Sequence, residues 1–454
     1  MLVEMQRDFR MSPDATMVVS QISAAACLVA VFLAGTLADR LGNRRMLVGA
    51  GVVFAAGALV VGTAPTVVVL AVGLSIAGIG TIVMAIVGLA ALNATFSEKG
   101  QRARAFGIFA LIAPVVSIVV PLLTSAVISL SSWRLTTVLW ILVGVGSAWS
   151  ARRTLVGDEQ RSARSELVTP ALAGVALSGT ALAFSFFSVS GSVTARFGHG
   201  VIAASVALGS IVVLTVLMTR RKRPTLDLRS LRTRGAFPIL IALFLVNGVN
   251  LFFFTYLLLQ YRYHQSLFDT AVFLIAPQLT ASLGALTSGR LSAKWGTQAV
   301  ATWALTGAAI ASAGTFVVAA QSSAWVPVAI LSIAALPIAA AVGPMTQSFM
   351  DLAPEDGTGA ASSVRNASVN LGVAIAGLIT GTIVFNGLER DTELTLEAFT
   401  LQAEAFHLAG VMCVVSYLVA AGLVVLHTRR RVVTALKERP EHRSMPHLHP
   451  EESK

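Results

Sequence analysis

The sequence predicts an all-α, polytopic membrane protein, and three observations carry that prediction. The 454 residues are 55% hydrophobic and 12% charged, with a mean hydropathy of +0.78, more apolar surface than a water-soluble core can hide. Apolar residues gather in about thirteen runs long enough to span a bilayer, without the alternation of barrel strands. Lys and Arg fall almost entirely in alternate connections between those runs. An unpaired backbone amide in hydrocarbon is costly, so the runs must be helices.

Taken in order, residues 1–15 form an external tail in which Glu4, Asp8 and Asp14 oppose Arg7 and Arg10, and no signal peptide or apolar run precedes it. Runs at 16–38, 46–61, 67–92, 105–129 and 135–149 make a first helical bundle over 16–151. Two long connections, 152–169 and the basic 220–234, bracket runs at 171–189 and 201–219, so 152–234 reads as an inserted helix pair with its linkers. Six runs follow, at 237–259, 270–289, 299–320, 325–349, 364–385 and 406–426, making a second bundle over 235–427 before a basic cytoplasmic tail at 428–454. The order is five, two and six.

With the loop after the first run inside, 27 of the 33 Lys and Arg lie on the cytoplasmic side, and only Arg7, Arg10, Arg134, Arg196, Arg262 and Arg390 lie outside. That asymmetry puts the C-terminus in the cytoplasm and, with an odd number of crossings, the N-terminus outside. A net charge of +11 would otherwise suggest a nucleic-acid partner. Here the cations are divided among short loops rather than gathered into one groove, which excludes that reading.

An internal repeat divides the chain. GTLADRLGNRR at 35–45 recurs in weaker form as GRLSAKWGTQ at 289–298, each directly after the second helix of its half. Gly35 matches Gly289, Leu37 matches Leu291, Arg40 matches Lys294 and Gly42 matches Gly296, whereas Ala293 stands where the first copy has Asp39. The glycines permit close approach and a tight turn, while Asp39, Arg40 and Arg44 can make charge-assisted bonds to neighbouring helix ends. The loop can therefore act as a latch; its plainer alternative is a short basic loop that only sets orientation.

GTLADRLGNRR closely resembles the signature loop between the second and third helices of major facilitator superfamily transporters. The wider order is similar to the fourteen-helix drug:proton antiporter branch, on SSWR at 131–134, RPTLDLRSLRTRGAF at 223–237 and APEDGTGAASSVRNASVNLG at 353–372. The resemblance implies the major facilitator fold, an inner-membrane location and efflux of amphipathic small molecules by alternating access, with protons as the driving ion. It also exposes departures. The family's first helix ends in a segment similar to 2–16, so the chain is expected to lack that helix and its acidic residue, with translation beginning upstream. The family's Arg and Gln in 67–92 fall on Leu74 and Ala77, with Gly78 and Gly80 kept, and the antiporter motif keeps Pro121 while its glycines become Val120, Thr124 and Ser125.

No Asp or Glu lies in mid-membrane; Asp39, Asp269 and Asp351 come closest. What remains at that depth is amide and aromatic. Asn247, Asn250 and Phe254 share one helical face by their i, i+3, i+7 spacing, and Gln278, Gln347, Asn366 and Asn370 join them as substrate-binding candidates. The alternative role for these amides is hydrogen-bond glue between helices. Cys27 and Cys413 sit alone in apolar runs, and His442, His447 and His449 in the tail have too few companions for a metal site. The chain has no phosphate-binding P-loop, HExxH or GxSxG, so no nucleotide, cofactor, metal or enzymatic reaction is expected, and the partners are lipid, a small-molecule substrate and protons. Two further readings stay open: a degenerate membrane protein that binds without transporting, and uncoupled facilitated uptake.

Overall fold

The computed structural model describes residues 5–437, apart from 6–7, 12, 97, 156–166, 189–192, 221–234, 250, 262, 264, 266, 319–321, 354–357 and 389–395. Among them the chain forms α1 (Pro13–Leu41), α2 (Asn43–Gly62), α3 (Val67–Thr95), α4 (Lys99–Leu130), α5 (Trp133–Thr154), α6 (Val168–Ser188), α7 (Val193–Arg220), α8 (Phe237–Gly248) and α9 (Leu251–Tyr261). It continues with α10 (Leu267–Phe273), α11 (Ile275–Trp295), α12 (Thr297–Ser312), a short 3₁₀ turn (Ala313–Val317), α13 (Trp325–Met350), α14 (Thr358–Leu388) and α15 (Leu396–Lys437). No strand occurs among the described residues.

Each apolar run of the sequence coincides with a helix or with two consecutive ones, and nine spans among the described residues are long and apolar enough to cross a membrane. Their outer faces are rich in large apolar side chains open to the surroundings, among them Trp303 at 77% and Val68 at 73% exposure, as lipid-facing helices require. Helix starts follow local chemistry: the Thr66 hydroxyl accepts from the Val69 N–H, and the Ser132 hydroxyl accepts from the Arg134 N–H.

Two of the expected runs are interrupted. The run at 237–259 is split into α8 and α9 around Val249, which has extended backbone angles. The run at 270–289 is split at Leu274, and Pro277 then occupies the first turn of α11, where its missing N–H breaks no helical bond. The basic linker 221–234 and the tail histidines lie outside the described residues.

Within the first part of the chain α2 packs on α3 and α5, while α1 packs on α3 and α6; within the last part α11 and α12 pack on α13, and α8 packs on α14 and α15. The largest apolar cluster ties Leu89 of α3 and Phe106 of α4 to Leu243, Phe254, Leu305, Phe349 and Tyr417. The most extensive crossings between the parts are α1 against α14 and α4 against α11, with α4 also on α13 and α3 on α14. A smaller cluster of Met5, Met11, Val19, Val61, Leu70 and Trp133 closes the opposite end.

Candidate functional site

Both crossings lie at the end of the molecule where α1 stops and α2 starts, and each is built around one copy of the repeat. Gly42 and Gly296 terminate α1 and α11 with the same backbone angles, φ 86° and ψ 148°. Only glycine adopts that region readily, so the repeated glycine is a conformational requirement in both loops. In each loop the glycine N–H closes on the helix before it: Gly42 donates to Ala38 and Gly296 to Ser292, both at 2.9 Å.

At the α1–α14 crossing, Gly35 lies against Gly359 so closely that a Cβ on Gly35 would collide with the Gly359 carbonyl and Ser363 Oγ. Ser363 Oγ in turn donates to the Val31 carbonyl at 2.8 Å. One turn further on, Asp39 spreads its carboxylate across the start of α14. Gly359 N–H donates to Oδ1 at 2.8 Å and Ala360 N–H to Oδ2 at 2.9 Å. These N–H groups have no intrahelical acceptor, and the positive end of the helix dipole lies there, so an anion is the complementary partner. Hydrogen bonds to a charged group contribute about 1.5–3 kcal/mol each. Arg44 extends the same logic at the other pole: its Nη2 donates to the Arg152 carbonyl at the C-terminal end of α5, at 2.8 Å.

At the α4–α11 crossing the close approach is kept. A Cβ on Gly289 would meet the Ala103 carbonyl at 2.9 Å, and one on Gly107 would meet Gly289 Cα at 2.9 Å. Ala293 offers no carboxylate to α4. An ion pair between Arg102 of α4 and Asp351 at the end of α13, 2.8 Å long, makes the charged link instead. Arg102 Nε also donates to the Phe96 carbonyl at 2.7 Å, which fixes the α3–α4 turn. Beside this crossing opens a cavity of about 1070 Å³ lined by Arg102, Ser292, Ala293, Trp295, Gln347 and Asp351 among others. Ser292 Oγ and Gln347 Oε1 are buried there without a hydrogen-bond partner.

The amide candidates do not form one stripe. Asn250 lies outside the described residues, and Asn247 and Phe254 fall on separate helices because of the break at Val249. Asn247 Nδ2 donates to the Leu243 carbonyl one turn back, and Phe254 is buried in the main apolar cluster. Asn366 and Asn370 donate to Ser362 and Asn366 carbonyls on their own helix. The α8–α14 crossing brings the Asn247 backbone beside Gly372, which is not on the face of Asn370. Gln278 is partly buried on α11, and Gln347 faces the cavity rather than the other amides.

Sequence reasoning missed the backbone donors of Gly359 and Ala360, and it read Arg102 and Arg365 only as cations that set orientation. The signal for the first was present: Gly359, Ala360, Ala361, Ser362 and Ser363 are a run of small residues opening a helix, the composition that lets helices in lipid approach closely.

Residues 1–377 match the Major Facilitator Superfamily. The chain belongs to that superfamily. It is a multi-pass membrane transporter, which agrees with the fold and the resemblance read from the loop at 35–45. Over 133 residues it is 30% identical to the multidrug resistance protein Stp of Mycobacterium tuberculosis, a stretch covering 29% of this chain and only 25% of that protein. With the methylenomycin A resistance protein of Streptomyces coelicolor it shares 25% identity over 410 residues, 89% of this chain and 83% of that protein. The human organic anion transporter MFSD10 superposes with a TM-score of 0.64 at 15% identity, covering 92% of this chain and 88% of that one. A bacterial homologue of the iron transporter ferroportin superposes with a TM-score of 0.61 at 13% identity and 94% coverage of each. At such identities the superpositions speak for the fold alone.

Proposed function

We propose that this transporter exports amphipathic small molecules, drugs among them, by alternating access, with the Asp39 clamp on α14 as the lock of its cytoplasmic side. The observation that carries the reading is the pair of hydrogen bonds from Gly359 and Ala360 to Asp39. They join the two parts of the chain through one carboxylate, and that contact must break if the parts are to rock apart. Two bundles, 16–151 and 235–427, are the rocking units, with 152–234 as an inserted pair. The excess of Lys and Arg on the clamp side supports a cytoplasmic position for it, and the resistance relatives support outward movement across a plasma membrane.

The test is growth and dye accumulation in an efflux-deficient bacterial host expressing the full chain, challenged with methylenomycin A, ethidium and carboxyfluorescein. Expression is expected to raise resistance or lower accumulation of at least one compound, and Asp39→Asn to reduce the gain at equal protein abundance. A host that gains nothing for any compound refutes the export reading. A protonophore decides the driving force: efflux that stops is proton-coupled, and efflux that continues down a substrate gradient is not.

A further inference from the structure

Arg365 takes no part in the clamp, yet it is the single Lys or Arg of α14. It follows Ala360 by five residues, about 7.5 Å along the helix axis, and is only 8% exposed. Its Nη2 donates to Thr346 Oγ1 of α13 at 3.0 Å, and its Nη1 reaches Asn366 Oδ1 at 3.4 Å. Its Nε is buried without any partner. The ion pairs among the described residues are Arg102 with Asp351 and Arg134 with Asp8, so no described carboxylate neutralises Arg365.

A guanidinium carries five donors in a rigid fork and stays charged at any physiological pH. Here two neutral oxygens satisfy part of that fork, and among the described residues no carboxylate balances the charge. Burying an unbalanced cation opposes folding, and an ionisable side chain inside a membrane helix is a functional group by default. Were Arg365 mere glue between α13 and α14, a neutral amide would serve Thr346 and Asn366 without that penalty. Arg365 sits on α14, the element that release of Asp39 would free, so access to it opens with the clamp.

We infer that Arg365 is the anchor for an oxyanion, a carboxylate or phosphate group on the transported molecule. The fork matches such a group bidentately, and the bound anion supplies the missing countercharge. The inference rests on the transport reading above and narrows its substrate class from amphipathic molecules to those with an anionic end.

Binding is measured apart from transport, so that the two can fail separately. Purified full-length protein in neutral detergent is titrated with carboxyfluorescein and, as a cationic control, ethidium, by fluorescence anisotropy. Arg365→Gln is expected to weaken carboxyfluorescein binding by about tenfold or more, the loss of a charge-assisted contact, with ethidium binding unchanged and thermal stability equal or higher. Carboxyfluorescein binding that is absent in the natural protein, or equal in Arg365→Gln, overturns the assignment. Should Arg365→Gln not fold, Arg365→Lys decides: it keeps the charge without the planar fork, so weaker binding at unchanged stability supports the anchor and unchanged binding overturns it. Phosphatidylglycerol in nanodiscs is the second arm. If it displaces the dye while phosphatidylcholine does not, the anion held is a lipid headgroup, which overturns the substrate assignment. Proteoliposomes that carry neither dye refute export while leaving the binding result intact.

Discussion

At the α1–α14 crossing Gly35 lies against Gly359 and Asp39 grips two backbone donors; at the α4–α11 crossing Gly289 lies against Gly107 and Ala293 grips nothing. The parts of the repeat that both crossings keep are those demanded by backbone geometry. The glycine that permits contact and the glycine that turns the chain recur with matching angles. The part that differs is the charge. In the first crossing a carboxylate meets fixed helix N–H groups, so only one short side chain is ordered. In the second the charged link passes to Arg102 and Asp351, two flexible side chains that are 20% and 26% exposed, an arrangement of typically modest value. α6 also backs the first crossing, packing on both α1 and α14, as α13 backs the second, packing on both α4 and α11, and a cavity flanks that second crossing. The charged link of the first crossing is thus the firmer of the two.

The largest expected effect separates contact from conformation. Gly35→Ala pushes a methyl into the Gly359 carbonyl and should lower thermal stability by about 1–3 kcal/mol, as overpacking does, and abolish dye efflux. Gly49→Ala, whose new methyl meets no atom within 4 Å, should leave efflux intact and gain up to about 1 kcal/mol from helix propensity. Equal behaviour of the two variants in a thermal-shift assay breaks the close-contact argument.

Next in size are the turns. Gly42→Ala and Gly296→Ala should each lose about 1–3 kcal/mol from backbone strain, and by similar amounts, because their angles agree. A clear inequality in unfolding midpoints would show that the loops are not conformational equivalents.

Asp39→Asn sharpens the charge difference. Asparagine keeps one neutral acceptor and turns an NH2 donor toward the other backbone N–H, which should weaken the clamp by about 1–3 kcal/mol and reduce efflux at unchanged abundance, and Ala293→Asp should not restore it. Rescue by Ala293→Asp would make the crossings interchangeable. The smallest effect belongs to the ion pair. A double-mutant cycle of Arg102→Gln and Asp351→Asn should give a coupling of at most about 1 kcal/mol, shrinking with added salt; a larger, salt-insensitive coupling would make the second joint as firm as the first.

Much of this was legible in the sequence because lipid leaves the backbone few options. Continuous apolar runs fix helices, and the string at 35–45 with its echo at 289–298 marks two loops that turn at Gly42 and Gly296 with matching angles. The amide stripe was misjudged for a local reason: Asn247 and Phe254 share a face only if their helix is continuous, and the backbone is extended at Val249. Periodicity cannot report a break inside an unbroken apolar run.

The sequence by itself determined the solvent, the helices, the repeat and the presence of one carboxylate in a glycine-rich loop, since each follows from composition or spacing along the chain. Only the tertiary structure decided what that carboxylate holds. Gly359 and Ala360 donate through their backbones, which every residue but proline possesses, so no side-chain pattern marks them as partners of Asp39. Arg365 shows the same limit. Along the chain it is one more basic residue near a helix end; only the packing of α13 on α14 buries it against Thr346, with no described carboxylate beside it.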